Sequence, residues 1–252
     1  MSLLKGLPHE RDTLVIKGAD GRIKITGIDT TISISTLLDR DFPPFNADLV
    51  IARMMASPKW KESKYFGMSA DQIKLQWDEN RSDVAMKAGT ELHRAIEQYL
   101  KSGSRPEIDS PEFSHVLNYF KEHPNQIPHR TEWPIYQVLT ESTAIVGILD
   151  YLVKLADGSY AIIDWKRTKM LHLDNTHERA NGEFSDLPNS DYYRYAAQLS
   201  YYGYLLQSQY NIMVSKLMVI MLHPENQRAV IHRVPFLLDE VRSSIVRLNH
   251  PS

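Results

Sequence analysis

The chain has 252 residues, of which 42% are hydrophobic and 24% are charged, as in an ordinary globular protein. It contains no cysteine, which excludes disulfides, thiolate zinc sites, cysteine nucleophiles and cysteine-ligated iron–sulfur clusters. The formal net charge of −2 argues against a protein that coats nucleic acid through a basic surface, but not against an enzyme with a narrow cleft.

The first part of the chain is predicted to form short strands and then helices. Apolar residues alternate in Thr13–Ile16 and Arg22–Ile28 around Asp20-Gly21, which indicates two strands and a turn. Capping signals then mark the starts of four helices. These signals are Asn46, the capping box of Ser69 with Gln72, Ser82 or Asp83, and Ser110-Pro111-Glu112, and the helices are expected to end near Ala56, Asn80, Gly103 and Pro124.

After residue 130 the pattern changes to strands. Three are expected, over Glu132–Val138, Thr143–Leu155 and Ser159–Thr168, and Pro134 indicates an edge strand or a bulge. Residues 169–190 are polar and irregular, which in a loop of this length indicates a functional or disordered segment. The predicted remainder is a helix capped by Asp191 and ending near Gln209, strands near Ile212–Leu222 and Arg228–Val234, and a helix near Leu237–Leu248. This order predicts an α/β fold with a mixed core in residues 83–252, behind a strand-turn and helical region in residues 1–82.

Two aspartates and a lysine fall on the hairpin between the second and third of these strands. If Gly158 adopts the left-handed conformation of a three-residue turn, Asp150 lies directly opposite Asp164. The two carboxylates then lie about 5 Å apart on one face, which Lys166 shares. A two-residue turn would shift the register by one residue and would place the aspartates on opposite faces.

A pair of carboxylates this close favours phosphoryl chemistry. Adjacent carboxylates repel each other unless a proton or a cation lies between them, and oxygen ligands favour magnesium or manganese. Such an ion can polarise a phosphoryl oxygen and lower the pKa of a bound water, and a lysine can orient that water or stabilise charge on the phosphate. The alternative is a surface hairpin with solvated charges. Apolar runs before Asp150 and Asp164 argue against it, because charges at the ends of buried strands need a partner or a metal.

Helices on both sides of the hairpin carry further candidates. His93 and Glu97 are four residues apart and share a helix face, and imidazole can ligate manganese or magnesium beside carboxylates. Gln198 and Tyr202 have the same spacing on another helix, where they could touch phosphate or stack on a base. Each has an ordinary alternative: a hydrogen-bonded histidine, a capping or salt-bridged glutamate, and an aromatic helix packed on the sheet.

Four motifs, taken in order, resemble those of the PD-(D/E)xK nuclease superfamily. The resemblance is to its RecB-type and Cas4-like exonucleases and to the mitochondrial genome maintenance exonuclease group, and it covers roughly residues 84–222. The motifs are Gly89 to His93, Gly147 to Asp150, Asp164 to Lys166, and Gln198 to Tyr202. The N-terminal stretches Phe42-Pro-Pro-Phe45 and Ser63–Ser69 are similar to those of RecB-like proteins from large DNA viruses and phages.

The resemblance implies a restriction-endonuclease-like core and a role for each matched residue. Mg²⁺ or Mn²⁺ would be bound by His93, Asp150, Asp164 and the backbone carbonyl of Trp165, and Lys166 would be the catalytic lysine. Glu132 falls where some relatives have an acidic residue. One departure is clear, since Cas4-like relatives often hold an iron–sulfur cluster through cysteines and this chain cannot.

The leading hypothesis is a metal-dependent DNA exonuclease that acts on single-stranded ends or flaps in recombination, repair or replication. The alternatives are a structure-specific or nicking endonuclease and a catalytically silent module that binds DNA ends. Residues 1–82 and the 169–190 loop are predicted to enclose the cleft. The residues expected to contact substrate are Gln198, Tyr202, Arg167, Thr168, Lys169, Lys59, Lys61 and Lys64. For Lys59, Lys61 and Lys64 the alternative is a solvated helix end. Without an apolar run of membrane-spanning length or a secretory signal pattern, we expect a soluble intracellular protein, in the cytoplasm or, if viral, in the host cell.

Overall fold

The computed structural model describes residues 1–80, 83–108 and 110–249. It divides into two compact units, one formed by Met1–Pro43 with Leu92–Ser252 and the other by Pro44–Glu91. The predicted boundary at residue 82 differs from this division, because the first 43 residues belong with the C-terminal part of the chain.

The larger unit is built on a six-stranded mixed sheet. Its strands are β3 (Thr30–Ser33), β4 (Ile127–Thr140), β5 (Thr143–Lys154), β6 (Tyr160–Lys166), β7 (Val214–Met221) and β8 (Val230–Val234), and a separate hairpin is formed by β1 (Val15–Lys17) and β2 (Ile23–Ile25). Strand β5 pairs antiparallel with β4, in parallel with β3 near its start and antiparallel with β6 near its end. Strand β7 then pairs in parallel with β6 and antiparallel with β8.

Helices cover both faces of this sheet. The described residues form seven helices, α1 (Ile34–Asp41), α2 (Ala47–Ala56), α3 (Ala70–Asn80), α4 (Asp83–Ser102), α5 (Pro111–Glu122), α6 (Asp191–Gln209) and α7 (Leu238–Asn249), of which α2 and α3 belong to the smaller unit. One apolar core joins α1, α6 and α7 to the sheet through residues such as Leu152 and Ile162. A second core joins α5 and the C-terminal part of α4 to the other face, through residues such as Val153 and Ile163. The predicted class, a mixed α/β sheet flanked by helices, is therefore confirmed.

Most helix starts follow the predicted caps. The side chain of Asn46 accepts from the N–H of Leu49, and Ser69 and Gln72 exchange both hydrogen bonds of a capping box. Ser110 caps α5, with Pro111 at its first position. Of the two candidate caps for α4, Asp83 is the first residue of the helix, and Ser82 lies outside the described residues.

Several element predictions were wrong in detail. Helix α6 is capped by Ser190, whose hydroxyl accepts from Tyr193 N–H, so the predicted cap Asp191 is its first helical residue. Thr13 and Leu14 end a short 3-10 helix rather than beginning a strand. Strand β4 begins at Ile127 and pairs only with β5, so it is an edge strand, but its register shifts lie near its two ends and not at Pro134.

Two core elements were not predicted at all. Strand β3 has four residues, and its pairing partner on β5 lies more than a hundred residues further along the chain. Helix α1 follows it directly and buries Ile34, Leu37 and Leu38 against the sheet. Local pattern gave little signal for either, because both are short and are stabilised by distant parts of the chain.

No helix in the part of the chain that the structure describes combines the length and the apolar character that a membrane crossing requires.

Candidate active site

The hairpin of β5 and β6 has the register that a three-residue turn predicts. Gly158 has a φ of +86°, in the left-handed region that glycine adopts without strain. The N–H of Leu155 donates to the carbonyl of Ser159 at 2.8 Å, and Tyr151 pairs with Ile163 further along the ladder. The sequence-based prediction of this register is confirmed.

The ladder ends one pair before the two aspartates, and their side chains take different partners. Asp150 Oδ2 accepts the backbone N–H of Trp165 at 3.0 Å, in place of a strand carbonyl. The hydroxyl of Thr131 on β4 donates to the carbonyl of Asp150 at 2.8 Å. Asp150 is thus held from both neighbouring strands at the point where β5 and β6 separate.

Three metal-ligating side chains converge beside Asp150. One ligand atom from each of His93, Glu132 and Asp150 lies within 4.8 Å of the other two. His93 Nδ1 lies 3.6 Å from Asp150 Oδ2 and 3.7 Å from Glu132 Oε1. Two carboxylates and an imidazole form a donor set that suits a divalent cation such as Mn²⁺ or Mg²⁺.

Glu132 reaches this cluster through an unusual backbone. Its φ is +45°, which is uncommon for a residue other than glycine, and such strained residues concentrate at functional sites. The sequence offered only the position of an acidic residue in β4, since no local pattern signals a positive φ at a glutamate. The structure therefore supports a functional role for Glu132 more strongly than the sequence does.

His93 also contacts the main chain of the hairpin. Its Nε2 lies 2.8 Å from the carbonyl oxygen of Trp165, which is a hydrogen-bond distance. It is also close to the spacing of neighbouring ligands around magnesium, since atoms about 2.1 Å from the ion at right angles lie about 3 Å apart. An imidazole binds an ion through one nitrogen, however, and the nitrogen near Asp150 and Glu132 is Nδ1. The Trp165 carbonyl as a further ligand therefore stays a prediction.

The carboxylates around His93 change its titration. Burial disfavours the imidazolium, but Glu132 and Asp150 outweigh burial and raise the pKa of His93 to about 9. Burial raises the pKa of Asp150 as well, against the opposing effect of Lys166 and His93. In the absence of a cation, protons thus partly offset the concentrated negative charge.

Asp164 and Lys166 form a buried ion pair next to the cluster. Lys166 Nζ lies 2.8 Å from Asp164 Oδ2, although the contact is too poorly aligned to count as a hydrogen bond. Asp164 is only 1% exposed, and its Oδ1 has no hydrogen-bond partner among the described residues. Burial raises the pKa of Asp164 to about 6, despite Lys166. Asp164 is outside the group of three ligands, so its predicted role as a ligand stays a prediction.

Lys166 is held in its charged form. Burial opposes the ammonium, but Asp164 and Asp150 keep the pKa of Lys166 above its ordinary value. Its Nζ also lies 4.8 Å from the ring centre of Tyr195 on α6, within the range of a cation–π contact. Nothing in the sequence distinguishes Tyr195 from the other tyrosines of this helix.

Tyr202 packs against strand β5 and is hydrogen-bonded to Gln198. Gln198 Nε2 donates to the hydroxyl of Tyr202 at 2.9 Å. Tyr202 is 3% exposed and packs on Gly147, where an added Cβ would lie 2.4 Å from the ring. A buried ring cannot stack on a base, so the predicted base-stacking role of Tyr202 does not fit this structure. Gly147 is required here because only glycine permits the close approach.

Four of the remaining predicted residues pair with other groups of the protein. Arg167 pairs with Glu112 on α5 at 2.8 Å, and Thr168 donates to the carbonyl of Met170 at 3.1 Å. Glu97 pairs with Lys101 at 2.5 Å and is not brought into the cluster, which agrees with its salt-bridge alternative. Lys169 pairs with Glu225, also at 2.5 Å. Lys59, Lys61 and Lys64 are exposed in the smaller unit.

Comparisons with known proteins add little to this picture. No family model matches the chain, and no curated protein matches it. Among solved structures, the crystal structure of SSO0001 matches 90% of this chain and 75% of that one, with 16% identity and a TM-score of 0.40. A likeness this weak carries no argument, so the function has to be argued from the site itself.

Proposed function

We propose that this protein is a metal-dependent nuclease of the PD-(D/E)xK type, which hydrolyses phosphodiester bonds of DNA. The observation that carries the proposal is the position of the His93–Glu132–Asp150 ligand group beside a buried Asp164–Lys166 ion pair. His93, Asp150, Asp164 and Lys166 fall in three of the four sequence motifs whose order resembles that of RecB-type and Cas4-like exonucleases.

The charge of the cluster supports a cation as its missing component. Glu132, Asp150 and Asp164 provide three negative charges, against one from Lys166 and one from protonated His93. Buried carboxylates that lack balancing charge or hydrogen bonds are costly, and Asp164 Oδ1 lacks a hydrogen bond among the described residues. We propose that His93, Glu132 and Asp150 hold Mg²⁺ or Mn²⁺, with Asp164 and the Trp165 carbonyl as the further candidate ligands. Bound there, such an ion would polarise a phosphoryl oxygen and lower the pKa of a water.

Lys166 would supply positive charge to the site and would not act as a base. Its ammonium form is favoured by Asp164 and Asp150, so it retains its proton at neutral pH. An ammonium beside the ligand group can donate hydrogen bonds to the attacking water or to a non-bridging phosphate oxygen. Asp164 and the ring of Tyr195 fix the position of this ammonium.

Single-stranded DNA ends or flaps are the substrate that the sequence resemblance favours, in recombination, repair or replication. A structure-specific endonuclease would use the same residues and differ only in what encloses the cleft. A binding module without catalysis is the other candidate. Degenerate nucleases of this type usually lack an aspartate or the lysine, and here Asp150, Asp164 and Lys166 are all present.

The proposal is tested by incubating single-stranded DNA labelled at its 5′ or 3′ end with the protein in Mn²⁺ and in EDTA. We expect cleavage in Mn²⁺, none in EDTA, and none by Asp164→Asn, which still binds the strand. Equal cleavage by the parent and by Asp164→Asn would overturn the assignment of this site. A parent protein that binds DNA without cleaving it in Mn²⁺ would favour the binding module. A strand blocked at both ends separates an endonuclease, which cuts it, from an exonuclease, which does not.

A further inference from the structure

The smaller unit contains a compact segment of turns, Ser57–Met68, between helices α2 and α3, and we call it the turn segment. Successive backbone hydrogen bonds close it. Trp60 N–H donates to the carbonyl of Ser57 at 2.9 Å, Ser63 N–H to the carbonyl of Trp60 at 3.0 Å, and Phe66 N–H to the carbonyl of Ser63 at 3.0 Å. A segment tied together in this way presents its side chains at fixed spacing.

The turn segment is locally basic in a chain whose net charge is −2. Its lysines are Lys59, Lys61 and Lys64, all exposed, and Glu62 is its only acidic residue. The charged side chains therefore create a local positive surface. Such a surface attracts a polyanion even though the whole protein does not.

Aromatic rings alternate with these lysines. Trp60 and Phe66 meet edge to face at 6.1 Å, and Phe66 is 54% exposed. Lys64 Nζ lies 4.8 Å from the ring centre of its neighbour Tyr65. Exposed rings are costly in water unless a ligand covers them, and their position among cations restricts which ligand fits.

Tyr65 connects the turn segment to Trp77 of α3, which in turn contacts a second partly exposed ring, Phe45. Tyr65 Oη accepts from Trp77 Nε1 on α3 at 2.8 Å, and the two rings meet edge to face. The ring centre of Phe45 lies 5.6 Å from that of Trp77, and Phe45 is 49% exposed. Phe45 is thus a partly exposed ring packed on Trp77, and Phe66 is a partly exposed ring packed on Trp60.

We propose that the turn segment, with Phe45, binds single-stranded nucleic acid. Its lysines would contact backbone phosphates, and the rings of Phe66 and Phe45 would stack on unpaired bases, which is how sequence-tolerant single-strand binding works. A protein partner is less favoured, because lysine is depleted in the cores of protein interfaces. The inference rests on the proposed function for its choice of nucleic acid as the polyanion.

The charge part of the proposal predicts a specific salt dependence. The triple variant Lys59→Gln/Lys61→Gln/Lys64→Gln is compared with Lys17→Gln/Lys24→Gln/Lys121→Gln, which removes three exposed lysines from the larger unit. The probe is a fluorescent oligothymidine of about 20 nucleotides, longer than the site of one binding module, and binding is measured in EDTA so that no cleavage occurs. We expect the slope of log K against log salt to flatten by about 2 for the first variant and to stay unchanged for the control.

The stacking part is tested by a second pair of substitutions. Phe66→Ala removes the exposed ring, and Leu75→Ala removes an apolar side chain of similar exposure, 61%, from α3 of the same unit. We expect Phe66→Ala to weaken oligothymidine binding about tenfold and Leu75→Ala to leave it unchanged. Urea unfolding of each variant shows whether it is folded, and a variant that is not folded is replaced by Phe45→Ala.

The outcomes separate this inference from the nuclease assignment. Wild-type binding by the triple lysine variant or by Phe66→Ala would overturn the inference, whether or not the parent protein cleaves DNA. A parent that binds no oligothymidine would also overturn it, in favour of a surface for protein docking. Loss of binding in both variants, in a protein that does not cleave, would support the inference while the nuclease proposal fails.

Discussion

Two clusters of charged side chains in the larger unit each include a buried aspartate, and they differ in how their charge is balanced. At the first, Asp41 of α1 is 1% exposed and lies 3.3 Å from Arg40 Nε and 3.4 Å from Arg247 Nη2. Arg247 also pairs with Glu183 of the 169–190 loop at 2.8 Å. Two guanidiniums thus face two carboxylates.

The second cluster, around His93 and the β5–β6 hairpin, is not balanced. Three carboxylates face one ammonium and one imidazole, which makes the sum negative even when His93 is protonated. Burial, with a smaller contribution from Asp150, raises the pKa of Asp164, and Glu132 and Asp150 raise that of His93 against the effect of its burial. One member of the cluster, Glu132, has a strained backbone. The comparison fits the proposal that a cation completes the His93 cluster, whereas the charges of the Asp41 cluster balance one another.

The largest expected difference between the clusters is in catalysis. Replacing Lys166 with Met removes the ammonium that lies beside the ligand group, so cleavage of labelled single-stranded DNA should fall by about 10²–10³-fold. Binding of the same strand in EDTA should change little. Lys154→Met, which removes an exposed lysine at the end of β5, is the matched control and should cut at the parent rate. Retention of more than a tenth of the activity by Lys166→Met would assign that residue a structural role only.

The pH dependence of stability should carry the signature of His93. Its pKa is raised from 6.5 to about 9, so protonation stabilises the metal-free protein fully below pH 6.5, and this contribution is lost as the pH rises through about 9. The loss is on the order of 3 kcal/mol. Urea unfolding in EDTA from pH 6.5 to 9.5 should therefore show a steeper decline for the parent than for His93→Gln. His177→Gln, an exposed control, should follow the parent, and parallel curves for the parent and His93→Gln would refute the interpretation.

Neutralising one aspartate in each cluster should shift stability in opposite directions. Asp41→Asn leaves two arginines without their buried partner and should lower the free energy of unfolding by about 1–3 kcal/mol. Asp164→Asn removes a carboxylate whose pKa burial raises to about 6, so at pH 7.5 in EDTA it should raise that free energy by about 1 kcal/mol or more. Urea unfolding curves measure both. If Asp164→Asn destabilises as much as Asp41→Asn, the His93 cluster is balanced after all.

The smallest effect concerns the ring over the lysine. Tyr195→Leu removes the cation–π contact with Lys166 and should slow cleavage by about fivefold, as expected for a contact of this kind. Tyr195→Phe keeps the ring and should retain the parent rate. Measured single-turnover rates that fall equally in both variants would assign the effect to the hydroxyl instead.

The parts of this architecture that local chemistry determines could be predicted from the sequence. The turn at Gly158 set the register of the β5–β6 hairpin, and the caps at Asn46, Ser69 and Ser110 marked helix starts. These features depend on residues only a few positions apart, so their signals lie within a short window.

The remainder depends on contacts between distant parts of the chain. Strand β3 is recognisable only once β5 is present to pair with it, and the strained φ of Glu132 arises only in the folded sheet. The sequence also could not show that Tyr202 is buried against Gly147, since an aromatic residue on a helix is compatible with either a buried or an exposed ring.

The most direct test of the account is calorimetric titration of Mn²⁺ into the metal-free protein and into two variants. We expect the parent and Asp41→Asn to bind Mn²⁺ with the same affinity. Asp150→Asn should lose at least tenfold in affinity, because Asp150 belongs to the ligand group and Asp41 does not. Equal affinities in the parent and in Asp150→Asn, or a parent that binds no Mn²⁺, would contradict the central claim that a cation completes the His93 cluster.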